Sequence, residues 1–347
     1  MHTTSNYSSI GLNKIEFKTI HLGHDFDKYY ISFLINPLLL QCSPNTLYNE
    51  IISITKLKEI PQNLTTILYE LSCDLINILQ DGKISRADYC GNLWFSDEII
   101  RKSHNIYLPI ASQQLAELYM KLLKKGNIPS RFKQPQTLMV NQQIQPNTDN
   151  EFTIRCNSYT LSIYLKHSQI IEHNERTGKN IYNASALRDS YGQLRVELRV
   201  ARNRLYYDKK KLHCNELDLI SGENTRIFPT LKNLLNRLYG TGDFFTYDEA
   251  KQRIKNLKSG KVQENMLYFL QLVKHCKTLT YEKLHTYDSA LTPDFFKRYM
   301  KYFNDINISP ITLPNRSPIP YFPNPLKYLE GKNTDFLRKN DFIAPLE

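Results

Sequence analysis

From Leu194 to Val200 every second residue is apolar and every residue between is charged: Leu194, Val196, Leu198 and Val200 alternate with Arg195, Glu197 and Arg199. Side chains of a strand point to opposite faces in turn, whereas a helix would scatter these two sets around its circumference. The segment therefore fits a strand with one apolar and one charged face, and such a strand needs sheet neighbours and a covering layer. Two other segments repeat the pattern. In Thr160 to Lys166 the spacing assigns Leu161, Ile163 and Leu165 to the inner face and Ser162, Tyr164 and Lys166 to the outer one. In Ile84 to Tyr89, within a short strand from Lys83 to Cys90, Arg86 and Asp88 share a face.

Other elements follow from period and punctuation. Tyr29 to Pro37 reads as a strand rich in aromatic and β-branched residues. Asn63 caps an amphipathic helix reaching Leu79, Ser96 caps a short helical turn, and a longer helix runs from about Ala111 to Lys125, closed by Gly126. Residues 127 to 150 have no apolar period and read as a loop; Phe152 to Cys156 precedes the Thr160 strand across Asn157-Ser158. His21 and His24 are placed in a loop. Beyond about residue 225 the period becomes helical, over Leu231–Tyr239, Thr246–Leu257, Val262–Cys276 and Pro293–Asn304. The tail from Ile306 holds seven prolines and is expected to be extended. The fold class is α+β, an antiparallel β-sheet with flanking helices followed by a mainly helical C-terminal region. The boundary is placed between a domain at 1–222 and a helical one at 223–347.

Charge narrows the partners. Forty-five Lys and Arg against 34 Asp and Glu leave a formal +11, which favours a polyanion because each neutralised phosphate releases counterions. The six cysteines form no C-x-x-C pair, so neither a zinc knuckle nor a disulfide framework is indicated. The longest apolar stretch, Tyr29 to Cys42, is broken by Asn36-Pro37 and too short to span a bilayer. Met-His-Thr-Thr-Ser lacks a basic-then-apolar signal pattern, so a cytoplasmic location without membrane partners is expected.

If the three alternating strands are neighbours, one sheet face gathers two carboxylates, a tyrosine, a lysine and several arginines. Such a set suits phosphodiester cleavage. A phenol with a pKa near ~10 needs activation, and fixed positive charge can stabilise the oxygens as they rearrange. The pattern by itself also describes a solvated strand face carrying an ion-pair ladder; both readings stay open on periodicity alone.

The segments Ile84-Ser85-Arg86-Ala87-Asp88, Thr160-Leu161-Ser162-Ile163-Tyr164-Leu165-Lys166-His167 and Gly192-Gln193-Leu194-Arg195-Val196-Glu197-Leu198-Arg199 resemble the replication endonucleases typified by the gene II protein of filamentous phages. That family comprises phage and plasmid replication proteins of the II/X type. Order and rough spacing match as well, over about residues 25 to 240. The resemblance implies a rolling-circle initiator that nicks one strand at an origin through Tyr164, leaves a free 3′-OH, holds the 5′ end as a phosphotyrosine and later rejoins it. It also implies Lys166 as a second catalytic group, Asp88, Glu197 and His167 as ligands of Mg²⁺ or Mn²⁺, and Arg86, Arg195 and Arg199 as phosphate grips. No H-x-H pair is present, so the implied metal site is carboxylate-based, with the third ligand unassigned beyond His167. Lys209, Lys210 and Lys211, following Tyr206-Tyr207, form a further candidate DNA contact. The expected partners are origin DNA, single-stranded or supercoiled, and a host helicase and polymerase. No G-x-x-x-x-G-K-[ST] phosphate loop supplies unwinding. Self-association into a homo-oligomer is left open. The rival functions are a conjugative relaxase and a non-enzymatic origin-binding initiator.

Overall fold

The computed structural model describes residues 2–4, 12–21, 27–35, 69, 83–95, 98–102, 106–128, 138–140, 143–145, 150–178, 182, 184–213, 227–317 and 319–324. Apart from Tyr69, the helix expected from Asn63 to Leu79 lies outside them, as does His24. The chain divides into two compact units, the first made of Met1–Ser85, Ile181–Asp189 and Leu205–Thr225, the second of Arg86–Asn180, Ser190–Arg204 and Arg226–Glu347.

In the first unit, β1 (His2–Thr4), β2 (Leu12–His21) and β3 (Asp27–Ile35) form an antiparallel sheet in that order. The strand expected from Tyr29 is thus present, and its partner β2 is an addition. His21, read as a loop residue, closes β2 by pairing with Asp27.

The second unit is built on a four-stranded antiparallel sheet of order β4-β11-β10-β9. Its strands are β4 (Arg86–Trp94), β9 (Glu151–Arg155), β10 (Tyr159–Leu165) and β11 (Gln193–Ala201). Between β4 and β9 come the hairpin β5 (Glu98–Lys102) and β6 (Ile106–Ile110), the helix α1 (Ser112–Leu123), and a small hairpin of β7 (Leu138–Val140) and β8 (Gln143–Gln145). The short helix expected after Ser96 is therefore strand, as suits a stretch carrying Ile99, Ile100, Ile106, Tyr107 and Ile110. α2 (Lys166–Thr177) follows β10 directly; along the chain, α3 (Ala184–Asp189) precedes β11 and α4 (Arg202–Leu212) follows it, α3 and the part of α4 from Leu205 being counted with the first unit.

Alternation does what the sequence pattern requires. Phe152, Ile154, Leu161, Ile163, Leu165, Leu194, Val196, Leu198 and Val200 are all buried on one face. α1 packs against β9, β10 and β11, with Leu115, Ala116, Tyr119, Met120, Leu122 and Leu123 buried at helical spacing. Each large apolar side chain so removed from water contributes roughly 1.5–3 kcal/mol before chain entropy is counted.

The C-terminal elements α5 (Ile227–Tyr239), α6 (Tyr247–Leu257), α7 (Gly260–Cys276), α8 (Tyr281–Tyr287) and α9 (Pro293–Asp305) join this same core. The short pair β12 (Phe244–Phe245) and β13 (Tyr321–Phe322) sets Phe322 against Tyr119, rings stacked at 5.5 Å, and against Phe95 at 5.8 Å. Backbone bonds add to this: Asn127 N donates to Leu238 O at 2.7 Å, and Leu279 N to Lys125 O at 2.7 Å. Gly126 is required at the junction, since a Cβ there would lie 2.3 Å from the Tyr239 ring. Arg226–Glu347 thus belongs to the same compact unit as the four-stranded sheet.

The proline-rich tail is tied down as far as Asn324. Ile308, Ile311, Leu313, Ile319 and Phe322 are buried. Asp243, itself buried, accepts from Asn307 Nδ2 at 2.8 Å, the Tyr321 hydroxyl at 3.2 Å and the Asn324 backbone N at 2.8 Å.

Candidate functional site

The second face of the four-stranded sheet carries the chemistry. In the pairing register, Tyr164 on β10 stands between Glu151 on β9 and Arg195 on β11, and Ser162 stands between Thr153 and Glu197. One strand further, Arg195 is opposite Asn92 and Arg199 opposite Asp88. Residues directly opposite in an antiparallel pair share a face. Arg86, Asp88, Asn92, Glu151, Thr153, Ser162, Tyr164, Arg195, Glu197 and Arg199 therefore belong to one polar surface.

The hydrogen bonds agree with that register. The Tyr164 hydroxyl donates to Glu197 Oε1 at 2.5 Å, a diagonal contact across β10 and β11. Arg195 Nε donates to Asn92 Oδ1 at 2.9 Å. Arg199 Nε donates to the Asp88 carboxylate at 3.2 Å and 3.3 Å, and Arg86 Nε donates to Asp88 Oδ1 at 2.8 Å. A second Arg86 nitrogen pairs closely with Asp88 Oδ2. At the β9 edge, Thr153 Oγ1 donates to Glu151 Oε1 at 2.7 Å and lies 2.9 Å from Ser162 Oγ.

Exposure is graded along this surface. Arg86 and Asp88 face solvent, Arg199, Glu197, Tyr164 and Arg195 are half-buried, and Asn92 is fully buried. Desolvation strengthens electrostatic contacts toward the Asn92 end. Gln193, next after Arg195 in the same alternation, is also fully buried, and neither its amide nitrogen nor its oxygen has a hydrogen-bond partner among the described residues.

Charge pairing sets the ionisation at the open end. Burial alone would push the Asp88 carboxyl up, but the hydrogen bond from Arg86 and the charges of Arg199 and Arg86 outweigh it and hold the group below its ordinary value. The Arg86 guanidinium is raised in turn, chiefly by its hydrogen bond to Asp88, with smaller contributions from the charges of Asp88 and Glu197.

Of the residues singled out in the sequence, Tyr164, Asp88, Glu197, Arg86, Arg195 and Arg199 come together on this face. Lys166 and His167 do not continue it. β10 ends at Leu165, paired with Leu194, one residue short of the β11 terminus at Gln193, and the chain passes directly into α2. Lys166 is instead the first residue of α2, buried, with Nζ donating to Gln169 Oε1 at 2.8 Å. The parity that assigned Lys166 to the Tyr164 face thus fails, since the strand stops one residue earlier. His167, on the same helix, has Nδ1 3.2 Å from Ser190 Oγ and its ring edge-on to Tyr191 at 5.3 Å. Lys209, Lys210 and Lys211 form the last turn of α4, in the part of that helix counted with the first unit. Tyr206 and Tyr207 beside them are exposed, with Lys211 Nζ 5.7 Å from the Tyr207 ring centre. Basic residues suit a helix C-terminus.

Glu151 was missed, though Phe152 and Ile154 pointing inward imply that Glu151 and Thr153 point outward beside Tyr164. The weak signal was strand length, as the alternation begins one residue earlier than the apolar run suggests.

A divalent cation needs carboxylate oxygens not already claimed by cations. Asp88 is shared by two guanidiniums, and an ion on it would sit beside both positive charges. Glu197 accepts the Tyr164 phenol. Among the described residues no three His, Cys, Asp or Glu side chains are grouped to hold an ion. The donor set, as arranged, does not fit the Mg²⁺ or Mn²⁺ that the family resemblance implies.

Comparisons with family models, with curated proteins and with solved structures find no match for this chain. Among the described residues, no helix is long and apolar enough to cross a membrane.

Proposed function

We propose that this chain nicks and rejoins one strand of origin DNA, initiating rolling-circle replication, with Tyr164 as the nucleophile. The observation that carries the reading is the Tyr164 hydroxyl bonded to Glu197 at 2.5 Å on a face with Arg195 and Arg199 beside it. The phenol oxygen attacks the scissile phosphorus, the bond to O3′ breaks, and the 5′ end remains on the protein as a phosphotyrosine. The ester retains the energy of the broken bond, so the same site can reseal the strand without ATP. Arg195, oriented by Asn92, stands opposite Tyr164 in the register and contacts the non-bridging oxygens as charge builds on them. Arg199 and Arg86, organised by Asp88, continue the positive track along the strand backbone. The net charge of +11 favours holding that strand.

A second reading has its own support. Because Asp88 is saturated by Arg86 and Arg199, this end of the face also suits an ion-pair ladder on a non-enzymatic origin-binding protein. One experiment separates the two. Supercoiled plasmid carrying the DNA flanking the chain's own gene, incubated with protein and Mg²⁺, should yield open circles with protein on the 5′ end. Tyr164→Phe should abolish attachment while leaving binding nearly intact. Nicking retained by that variant removes Tyr164 from the chemistry, and binding without nicking by the native chain favours the ladder.

A further inference from the structure

The nucleophile reading leaves one proton unassigned, and the arrangement around Tyr164 assigns it. A phenol near its ordinary pKa of ~10 is a poor nucleophile at neutral pH unless its proton is taken as attack begins. In a metal-assisted site the cation would lower that cost. Here the two carboxylates implied as metal ligands have separate tasks: Asp88 joins Arg86 and Arg199, and Glu197 is at 2.5 Å from the phenol oxygen.

We propose that strand cleavage at Tyr164 runs without a bound metal, with Glu197 as the general base and arginines supplying the charge a cation would otherwise supply. The inference rests on Tyr164 being the nucleophile. The balance is complete within the chain and its substrate. The phenolic proton passes to Glu197 Oε1 as the tyrosine oxygen bonds to phosphorus. The P–O3′ bond breaks, and the protonated Glu197 returns that proton to the departing O3′, directly or through water. Resealing is the reverse: Glu197 accepts the proton of a 3′-OH, and the phenol leaves and is reprotonated. No oxidant, reductant or co-reactant is needed.

Geometry favours Glu197 over the other acid nearby. Glu151 is opposite Tyr164 in the register but accepts from Thr153, whereas Glu197 is the carboxylate that the phenol reaches. A base in contact with the proton it removes contributes roughly 10²–10⁴-fold. Arg195 and Arg199 flank Glu197 on its own strand, so a phosphate drawn to them is brought beside the phenol.

The test uses the full chain, stripped with EDTA, and a pool of random-sequence single-stranded oligonucleotides. The readout is protein covalently attached to DNA after denaturation. Adduct should form in EDTA within about threefold of its rate in Mg²⁺. Glu197→Gln, which keeps the shape and a hydrogen-bond acceptor, should slow it by about 100-fold or more with pool binding unchanged. Glu197→Asp, which keeps a carboxylate, should recover part of the rate that Glu197→Gln loses, a rescue that a purely structural role would not produce. Adduct that needs Mg²⁺ or Mn²⁺ overturns the metal-free route yet leaves Tyr164 as nucleophile. A native rate in Glu197→Gln removes Glu197 as base. Absence of adduct under every condition overturns the nucleophile reading and this inference with it.

Discussion

The contact between Tyr164 and Glu197 can be weighed without any DNA, by a double-mutant cycle on stability. Tyr164→Phe removes one oxygen and keeps the ring; Glu197→Ala removes the acceptor. A hydrogen bond to a charged group contributes about 1.5–3 kcal/mol. Both side chains are half-buried, so water can replace part of what is lost, and the lower end applies. Tyr164→Phe should therefore destabilise by about 1.5 kcal/mol, which for a unit of this size lowers Tm by roughly 3–6 °C. Glu197→Ala should cost more, since it also removes a charge that favours the Arg86 guanidinium. The coupling between the two changes should still come out near 1.5 kcal/mol, because the shared bond is lost once in each single variant and only once in the double. Urea unfolding of the four proteins measures it. A coupling below about 0.5 kcal/mol, or a Tyr164→Phe protein as stable as the native one, would mean that the pair does not persist in solution. The proton route from the phenol would then lose its starting point.

Three other outcomes are expected. The Asp88 carboxyl is held below its ordinary 3.8 in the folded chain, so its stabilisation is fully present above about pH 4 and fades as pH falls through the lower folded value; Asp88→Asn should be less stable at neutral pH and show a shallower loss in acid titrations, and an unchanged slope would contradict the pairing. Gly242→Ala would place a Cβ 2.2 Å from the Ile308 carbonyl carbon, so it should destabilise by about 1–3 kcal/mol and loosen the tail to proteolysis; native protection would show that the tail does not lie there. Gln193 buries an amide with neither nitrogen nor oxygen satisfied among the described residues, so Gln193→Leu should raise thermal stability by roughly 1 kcal/mol; a clear loss would reveal a partner for that amide.

The parts of the fold written in local pattern could be read directly. Leu194 to Val200 became β11 because alternation over seven residues has one structural solution, and Leu161, Ile163 and Leu165 followed the same rule in β10. The helices Leu231–Tyr239, Thr246–Leu257, Val262–Cys276 and Pro293–Asn304 were visible by their period, with Thr292 capping the last through its side chain. Three things were not visible. The hairpin at residues 98–110 lacks a clean alternation and looked like a capped turn. The strand carrying Tyr164 gives way to helix at Lys166, one residue short of the end of its neighbour β11, and nothing in the alternation marks that change. The tail after Ile306, rich in proline, shows no period at all, yet Asp243 and the aromatic cluster around Tyr119 hold its first part in the core.

By itself, then, the sequence determined a basic α+β chain, the existence of its best-patterned strands and which of their residues face away from the core. It could not determine which strands are neighbours, and that decides the chemistry. Whether Arg199 meets Asp88, Arg195 meets Asn92 and Tyr164 meets Glu197 depends on register between segments separated by dozens of residues, and register is set by packing the apolar face onto α1. Local alternation costs only the conformational choice of each residue, but pairing distant strands must repay loop closure through buried area, which no single segment encodes. Tertiary structure alone brought the phenol to Glu197 and Arg199 to Asp88.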